Sequence, residues 1–101
     1  MYASIRKYHV HAASVAALKV GVEDGFIPIV SKLTGFVSYM VVDAGDGIVA
    51  SISIFESADA AQQSNAAAAQ WVKENLADLI QQPPEVTAGE IVVAAPTPAA
   101  W

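Results

Sequence analysis

The chain has 101 residues, of which 54% are hydrophobic, and this is enough for one domain with its own buried core. It has no cysteine, which excludes disulfides, thiolate metal sites and cysteine nucleophiles. Ten acidic residues against five basic ones give a formal charge of −5, and the basic residues are scattered, so we expect no binding to nucleic acid, which requires a basic surface.

The sequence also argues against a membrane protein. No apolar run approaches the roughly 18 to 20 residues that are needed to span a bilayer. The N-terminal stretch MYASIRKYHV alternates polar and apolar positions, whereas a signal peptide has a continuous apolar segment. We therefore expect a soluble, cytoplasmic protein.

The N-terminal third predicts a strand and then a helix. Residues 2–10 are rich in aromatic and β-branched residues and contain no glycine or proline, which favours a strand. Ser14 is the expected N-cap of the helix. Gly21, Gly25 and Pro28 weaken this helix and predict a kink in its second half, near Phe26. Apolar residues that fall mostly three or four apart share one of its faces: Val15, Leu18, Val22, Phe26, Ile29, Val30 and Leu33.

Two strands follow the left-handed position expected at Gly35, over residues 36–42 and 47–55. The loop between them, Asp43-Ala44-Gly45-Asp46-Gly47, could bind an ion or turn the chain. A calcium loop needs more oxygen ligands and flanking helices, and a phosphate loop needs a lysine and a following helix. Because glycine and, less often, aspartate tolerate positive φ, the loop predicts a hairpin turn.

The second half predicts a long helix and a last strand. Ser57 is the expected N-cap of an alanine-rich helix, and Asp59 lies near its positive end. Pro83 and Pro84 are expected to end the helix, and residues 85–95 supply a strand centred on Ile91 to Val93. One face of the helix carries Ala58, Ala61, Asn65, Ala68, Val72, Leu76 and Leu79.

The predicted order is βαββαβ, an α+β ferredoxin-like fold in which a four-stranded antiparallel sheet carries both helices on one face. Residues 1–95 form this domain, and residues 96–101 form a C-terminal tail. In the strand 47–55, both alternating sets of side chains are mostly apolar or small, which suits a sheet covered on both faces. We therefore expect a homodimer that packs sheet against sheet.

With these elements in place, the chain resembles the dimeric α/β barrel superfamily, in its antibiotic biosynthesis monooxygenase-like branch of mostly uncharacterised bacterial members. The similarity covers roughly residues 2–94 and is carried by GFIPIVSKLTGFVSYMVVDAGDGIVASISIFES and by an alanine-rich helix containing QWVKENL. The resemblance implies a pocket between the helices and the sheet of each protomer. It also implies chemistry such as the cofactor-independent oxygenation of polycyclic phenols or anthrones, haem degradation, or the decarboxylation or isomerisation of small aromatic compounds.

Two features set this chain apart from the enzymes of that superfamily. The oxygenases place an asparagine and a tryptophan about one helical turn apart on the second helix, whereas Asn65 and Trp71 are six residues apart. The haem-degrading members need a histidine near the second helix, and this chain has none there.

Asn65 is the polar residue that interrupts the apolar face of the second helix. A buried amide must be hydrogen-bonded, so Asn65 either pairs with a protein group or faces a pocket. The small residues Ala61, Ala68 and Ala69 leave room for such a pocket, and Trp71 is either core or pocket wall.

Strand hydroxyls supply most of the remaining polar groups. They either line a pocket for a flat aromatic compound or bond to backbone and water within the packed sheet. Arg6 either holds an anion or faces solvent. The hydroxyls belong to Tyr8, Tyr39, Ser38, Ser51 and Ser53.

His9 and His11 are the only histidines, and their spacing on a strand places both rings on one side. With a third ligand they could bind zinc or iron. Because no third ligand is apparent, we expect them to be solvated or at a pocket edge, and we expect no metal. No serine and histidine pattern or pair of carboxylates indicates a nucleophilic site.

The sequence thus predicts a homodimer that binds an apolar or aromatic small molecule without a cofactor. If the protein is a monooxygenase, an electron-rich substrate is deprotonated and then reacts with dioxygen, while the candidate catalytic residues Asn65 and Tyr39 donate hydrogen bonds to the developing oxyanion. The alternative is a non-catalytic ligand-binding or structural dimer whose pocket is filled by its own side chains. The candidate ligand-binding residues are Tyr8, His11, Phe26, Ser53 and Trp71.

Overall fold

The structure is a computed structural model that describes residues 1–80 and 82–96. The strands run in the order β2-β3-β1-β4, and every neighbouring pair is antiparallel. The long helix α3 packs on β1 and β3, and α2 packs on β2 and on α3. The α+β ferredoxin-like fold predicted from the sequence is therefore confirmed. The elements are β1 (Tyr2–His9), a 3₁₀ turn (Ala12–Ser14), α1 (Val15–Gly21), a π-helical turn (Val22–Phe26), α2 (Ile27–Val30), β2 (Phe36–Gly45), β3 (Ile48–Phe55), α3 (Ala58–Asn75) and β4 (Glu85–Glu90).

The two faces of the sheet differ in composition. Arg6 is opposite Ser51 in the β1–β3 ladder, and Ser4 is opposite Ser53, so these four residues share the face beneath the helices. Burial alternates along β3 as expected for a strand with one covered side. The other set, which includes Ile52 and Ile54, lies on the face that none of the described helices covers. We call this second surface the open face.

The first helix is interrupted by the π-helical turn Val22–Phe26, directly before the segment that contains Pro28. Proline cannot donate to the preceding turn, so a local widening of the helix accommodates it. The helix thus departs from α-helical geometry at the predicted position near Phe26. The wider turn also shifts the helical phase, so Val30 is buried while Ile29, predicted on the apolar face, is 42% exposed.

The predicted N-caps differ in outcome. Ser57 is extended, and its hydroxyl accepts a hydrogen bond from the Ala60 amide at 3.2 Å, as predicted. Ser14 makes no side-chain cap, because the chain already has helical dihedral angles there and enters α1 from the 3₁₀ turn.

The end of α3 corrects a second prediction. The helix stops at Asn75 and not at Pro83. The Asn75 side-chain amide donates to the Trp71 carbonyl at 2.9 Å and so competes with the backbone pattern. The following turn then returns Ile80 to an antiparallel bridge with Val10.

The loop Asp43-Ala44-Gly45-Asp46-Gly47 is a hairpin turn, as predicted. Gly45, Asp46 and Gly47 all have positive φ, and Asp46 and Gly47 connect the paired residues Gly45 and Ile48. Positive φ at both central positions is typical of a type I′ turn. The Asp43 carboxylate accepts from the Gly45 amide at 2.9 Å, so it stabilises the turn.

The last strand lies earlier than predicted. It spans Glu85–Glu90 and pairs with Lys7 to Tyr2 of β1, whereas the sequence indicated a centre at Ile91 to Val93. β1 begins at Tyr2, so the residues after Ile91 have no strand opposite them. Val92 and Val93 are accordingly 88% and 84% exposed. Apart from Pro96, the predicted tail 96–101 lies outside the described residues, and the domain boundary at 95 stays a prediction.

Among the described residues, no helix is long and apolar enough to cross a membrane.

Candidate functional site

A cavity of about 40 Å³ lies between the sheet and the helices, and we call it the inner cavity. Six of the seven residues predicted for the site line it. His11 does not, because it is exposed and lies beyond the end of β1. The six lining residues are Tyr8, Phe26, Tyr39, Ser53, Asn65 and Trp71.

The inner cavity exists because small side chains meet where the sheet and α3 face each other. Ser51 and Ser53 project from β3, and Ser64 and Ala68 project from α3. A core normally fills such a position with larger apolar side chains at close packing. Four small residues at one level of the interface therefore leave space beneath the helix.

Three aromatic side chains in contact form one wall of the inner cavity, on the side of the first helix. The ring centroid of Phe26 is 5.4 Å from that of Tyr39 and 5.5 Å from that of Trp71. Trp71 reaches this position because Gly25 has no side chain: a Cβ there would lie 2.8 Å from Trp71 Cζ2. The wall presents flat apolar surface to the cavity.

Asn65 connects α3 to β1, one of the two central strands of the sheet. Its Oδ1 accepts from the Ser4 hydroxyl at 3.0 Å, and its backbone carbonyl accepts from Arg6 Nη1 at 3.4 Å. The amide therefore has the protein partner that the sequence offered as one alternative, and it also lines the cavity. Asn65 and Trp71 reach the same space from opposite flanks of α3, although their spacing of six residues separates them on the helix.

Both tyrosines of the site stay protonated at neutral pH. Burial raises the pKa of Tyr39 to about 12, although a hydrogen bond with Ser51 lowers it, Tyr8 raises it further and Arg6 lowers it. Burial also raises the pKa of Tyr8, against a smaller lowering by Arg6. Both phenols can therefore donate a hydrogen bond to a ligand and are poorly suited to act as bases.

A larger space of about 410 Å³ opens next to the inner cavity, and we call it the outer cavity. Pro83 and Pro84, which directly precede β4, form its far side, and Lys73 lies on its helical wall. Four residues line both spaces and so form the boundary between them: Arg6, Tyr8, Val72 and Ile80.

Arg6 is the charged residue at this boundary. Its Nε is buried and has no hydrogen-bond partner. Within the described part of the chain, the ion pairs join Lys7 to Glu85 and the N-terminus to Glu90, and neither involves Arg6.

The structure gives no metal site around the histidines. His9 ends β1 opposite Ile48 and so lies on the open face. Within residues 1–80 and 82–96, no three histidine, cysteine, aspartate or glutamate side chains group closely enough to hold a metal ion.

In comparisons of sequence, no family model and no curated protein matches the chain. In comparisons of structure, it is similar to a protein of unknown function from Nitrosomonas europaea, with a TM-score of 0.79 and 21% identity over 97% of this chain and 94% of that one. It is also similar to SnoaB, a cofactor-independent oxygenase from Streptomyces nogalater, with a TM-score of 0.73 and 16% identity over 95% and 97% of the two chains. A monooxygenase from Streptomyces coelicolor, in complex with the ligand nanaomycin D, matches with a TM-score of 0.72 and 20% identity over 92% of each chain.

The chain has the fold of the antibiotic biosynthesis monooxygenase-like proteins. The resemblance stated from the sequence is thereby confirmed for the fold. Because these identities are low, the activity has to be argued from the site itself.

Within this monooxygenase-like fold, the outer cavity is the part of the site that the sequence did not reveal. The predicted helix continued past Asn75 to the prolines, whereas in the structure α3 ends at Asn75 and a turn at residues 76–79 follows it. The sequence offers an anion or solvent as the partner of Arg6, but the position of Arg6 at the boundary depends on the β1–β3 register. The signal available in the sequence was Asn75 itself, because an asparagine side chain can bond to the nearby backbone and compete with the helix.

Proposed function

We propose that the protein binds a flat, apolar, aromatic small molecule between its helices and its sheet. The observation that carries this proposal is the inner cavity, where Tyr39 and Asn65 place polar groups beside the aromatic wall of Phe26 and Trp71. Ligand pockets are typically apolar with a few polar groups that orient the ligand. The similarity in fold to a monooxygenase in complex with nanaomycin D supports the same conclusion.

The volumes indicate how such a ligand would sit. The inner cavity, at about 40 Å³, is too small for a fused ring system, whereas the outer cavity, at about 410 Å³, is in the usual range for ligands. The ligand would therefore occupy the outer cavity and direct one edge past Val72 and Ile80 towards Tyr39.

We propose cofactor-independent oxygenation as the reaction. The substrate loses a proton from an acidic carbon to give an anion, the anion transfers electrons to dioxygen, and a carbon–oxygen bond forms as a peroxide. The peroxide takes up a proton, and the same carbon then loses its second proton as the oxygen–oxygen bond breaks, which releases water and leaves a ketone or quinone. The protonated Tyr39 phenol and the Asn65 amide nitrogen would donate hydrogen bonds to the substrate oxyanion. Among the described residues that line the two cavities there is no carboxylate or histidine, so ionisation would depend on the substrate's own acidity and on these donors.

The proposed assembly is a cytoplasmic homodimer joined through the open faces of two sheets. Ile5, Met40 and Val42 lie on this face and are 39%, 44% and 45% exposed in the single chain. Ile52 and Ile54 lie between them on β3. An apolar surface of this kind on a small domain is typical of an association surface.

The test is the oxidation of an anthrone in air, followed by dioxygen uptake and by the absorbance of the quinone. Tyr39→Phe and Asn65→Ala should each lower kcat by about tenfold or more, because each removes one donor to the oxyanion. Tyr2→Phe is the matched control, since Tyr2 does not line either cavity. Unchanged turnover in both site variants would contradict the proposed catalytic roles.

A non-catalytic ligand-binding or structural dimer is the second candidate, and two observations favour it. The inner cavity is small, and Ser4 already occupies the carbonyl oxygen of the Asn65 amide. Native mass spectrometry of freshly purified protein separates the candidates. A retained aromatic mass without turnover would indicate a binding protein, and a dimer without any ligand that also fails to bind aromatic probes would indicate a structural one.

A further inference from the structure

The geometry points to a carboxylate on the ligand, held by Arg6 at the boundary between the inner and outer cavities. This inference rests on the proposed function and specifies its ligand class as an aromatic carboxylic acid. The ring would pack in the outer cavity, and the carboxylate would lie against the guanidinium.

The hydrogen bonding of Arg6 leaves one edge of the guanidinium for a ligand. Nη1 donates to the Asn65 carbonyl. Nε and Nη2 lie on the adjacent edge of the planar group, and Nε is buried without an acceptor. Two parallel N–H donors on one edge match the two oxygens of a carboxylate. Because a buried donor without a partner is unfavourable, an acceptor supplied from within the cavity would stabilise this arrangement.

The charge around the cavities favours the same ligand. The chain has ten acidic and five basic residues. The described residues that line the two cavities nevertheless include two cations, Arg6 and Lys73, and no carboxylate. Lys73 lies in the last turn of α3, where it offsets the partial negative charge of the helix C-terminus. A cleft lined by charges of one sign attracts ligands of the opposite sign.

The apolar part of the ligand has a matching surface in the outer cavity. Val72, Ile80 and Pro84 line this space beside Arg6. A neutral aromatic compound would bury its ring on the same surface and leave Arg6 Nε without a charged acceptor. The difference in affinity between an acid and its neutral isostere therefore measures the contribution of the two cations, and variants of Arg6 and Lys73 separate them.

The experiment uses 2-naphthoate and 2-naphthamide, which share a ring and differ in charge, and measures Kd by isothermal titration calorimetry at pH 7.5. In 50 mM NaCl the wild-type protein should bind naphthoate about tenfold more tightly than naphthamide, as expected for a charged hydrogen-bonded pair. The preference should shrink in 500 mM NaCl. Arg6→Met should reduce it to within about twofold without weakening naphthamide binding, and Lys73→Met, which removes the same charge, should retain most of it.

The outcomes separate this inference from the proposed function. Equal binding of the two probes by the wild-type protein would overturn the inference and leave the aromatic pocket standing, and this comparison needs no variant. A preference that persists in a folded Arg6→Met protein would overturn the assignment to Arg6. If neither probe binds at millimolar concentration, the proposed function fails and the inference fails with it.

Discussion

Tyr39 is a partly buried phenol, and it stays protonated over the physiological range. Its pKa of about 12 lies above the ordinary value of 10.0, so the folded protein holds the proton more tightly than the unfolded chain does. The free energy of unfolding is therefore unaffected below about pH 10 and falls between about pH 10 and 12.

Tyr39→Phe should remove this part of the alkaline destabilisation. In urea titrations at pH 8 and pH 11.5, we expect the drop in unfolding free energy to be smaller in the variant by about 1 to 2 kcal/mol. The drop is measured within each protein, so the unfolding free energy of the variant at pH 8 already includes the cost of the hydrogen bond that the substitution removes. An identical drop in both proteins would contradict the raised pKa.

Position 47 requires glycine for two reasons: its turn conformation has positive φ, and the backbone of Val10 lies too close for a side chain. A Cβ there would lie 1.9 Å from the Val10 carbonyl oxygen, and the Gly47 carbonyl accepts from the Val10 amide at 2.8 Å. Gly45 also has positive φ, but a Cβ there would meet no atom within 4 Å.

Gly45→Ala and Gly47→Ala thus form a matched pair. Gly45→Ala should cost about 1 kcal/mol of unfolding free energy from the left-handed conformation alone. Gly47→Ala should cost at least about 3 kcal/mol, because the backbone must also move and the bond to Val10 is strained. Equal losses in chemical denaturation would show that the contact with Val10 does not matter.

At the level of elements, the π-helical turn is what brings the first helix and Trp71 together. Gly25 lies in this turn and contacts the indole, whereas Gly21 lies at the end of α1. At Gly21 a Cβ would be 3.5 Å from Leu76 Cδ2, which is an ordinary contact.

Alanine at these two glycines should have opposite effects. Gly21→Ala should stabilise the protein by roughly 0.5 to 1 kcal/mol, since alanine has the higher helix propensity. Gly25→Ala gains the same propensity, but it overpacks the core against Trp71, so we expect a net loss of about 1 kcal/mol. Urea denaturation measures both values, and a stabilising Gly25→Ala would mean that Trp71 yields freely.

Some elements are determined by adjacent residues, and others by the strand against which they pair. The cap at Ser57 and the turn at Gly45 to Gly47 were predictable because their hydrogen bonds and φ angles depend on adjacent residues. The position of β4 was not, because Ile91 to Val93 have the better strand composition. The strand forms at Glu85–Glu90 instead, since that segment lies opposite β1.

At the scale of the whole molecule, the open face is the feature that a partner would change most. Met40 lies on this face at the centre of the edge strand β2, opposite Ile52. Val20 is similarly apolar and 56% exposed, but it lies on α1.

Met40→Glu and Val20→Glu add the same charge to an exposed position. Sedimentation velocity at low micromolar concentration should show a dimer for the wild-type and Val20→Glu proteins. Met40→Glu should shift the protein to monomer, because a carboxylate would be buried in the interface without a partner. A Met40→Glu protein that remains fully dimeric would place the interface elsewhere.

The sequence by itself determined the fold class, the order of strands and helices, the hairpin turn and six of the residues that line the inner cavity, because these depend on side-chain periodicity and local conformational preference. Only the tertiary structure decided that Asn65 and Trp71 share one cavity from opposite flanks of α3, and that Arg6 lies between the inner and outer cavities with its Nε buried and without a hydrogen-bond partner. Those facts depend on strand register and on where α3 ends. Both are set by contacts between residues far apart in the chain, which a reading of local pattern does not contain.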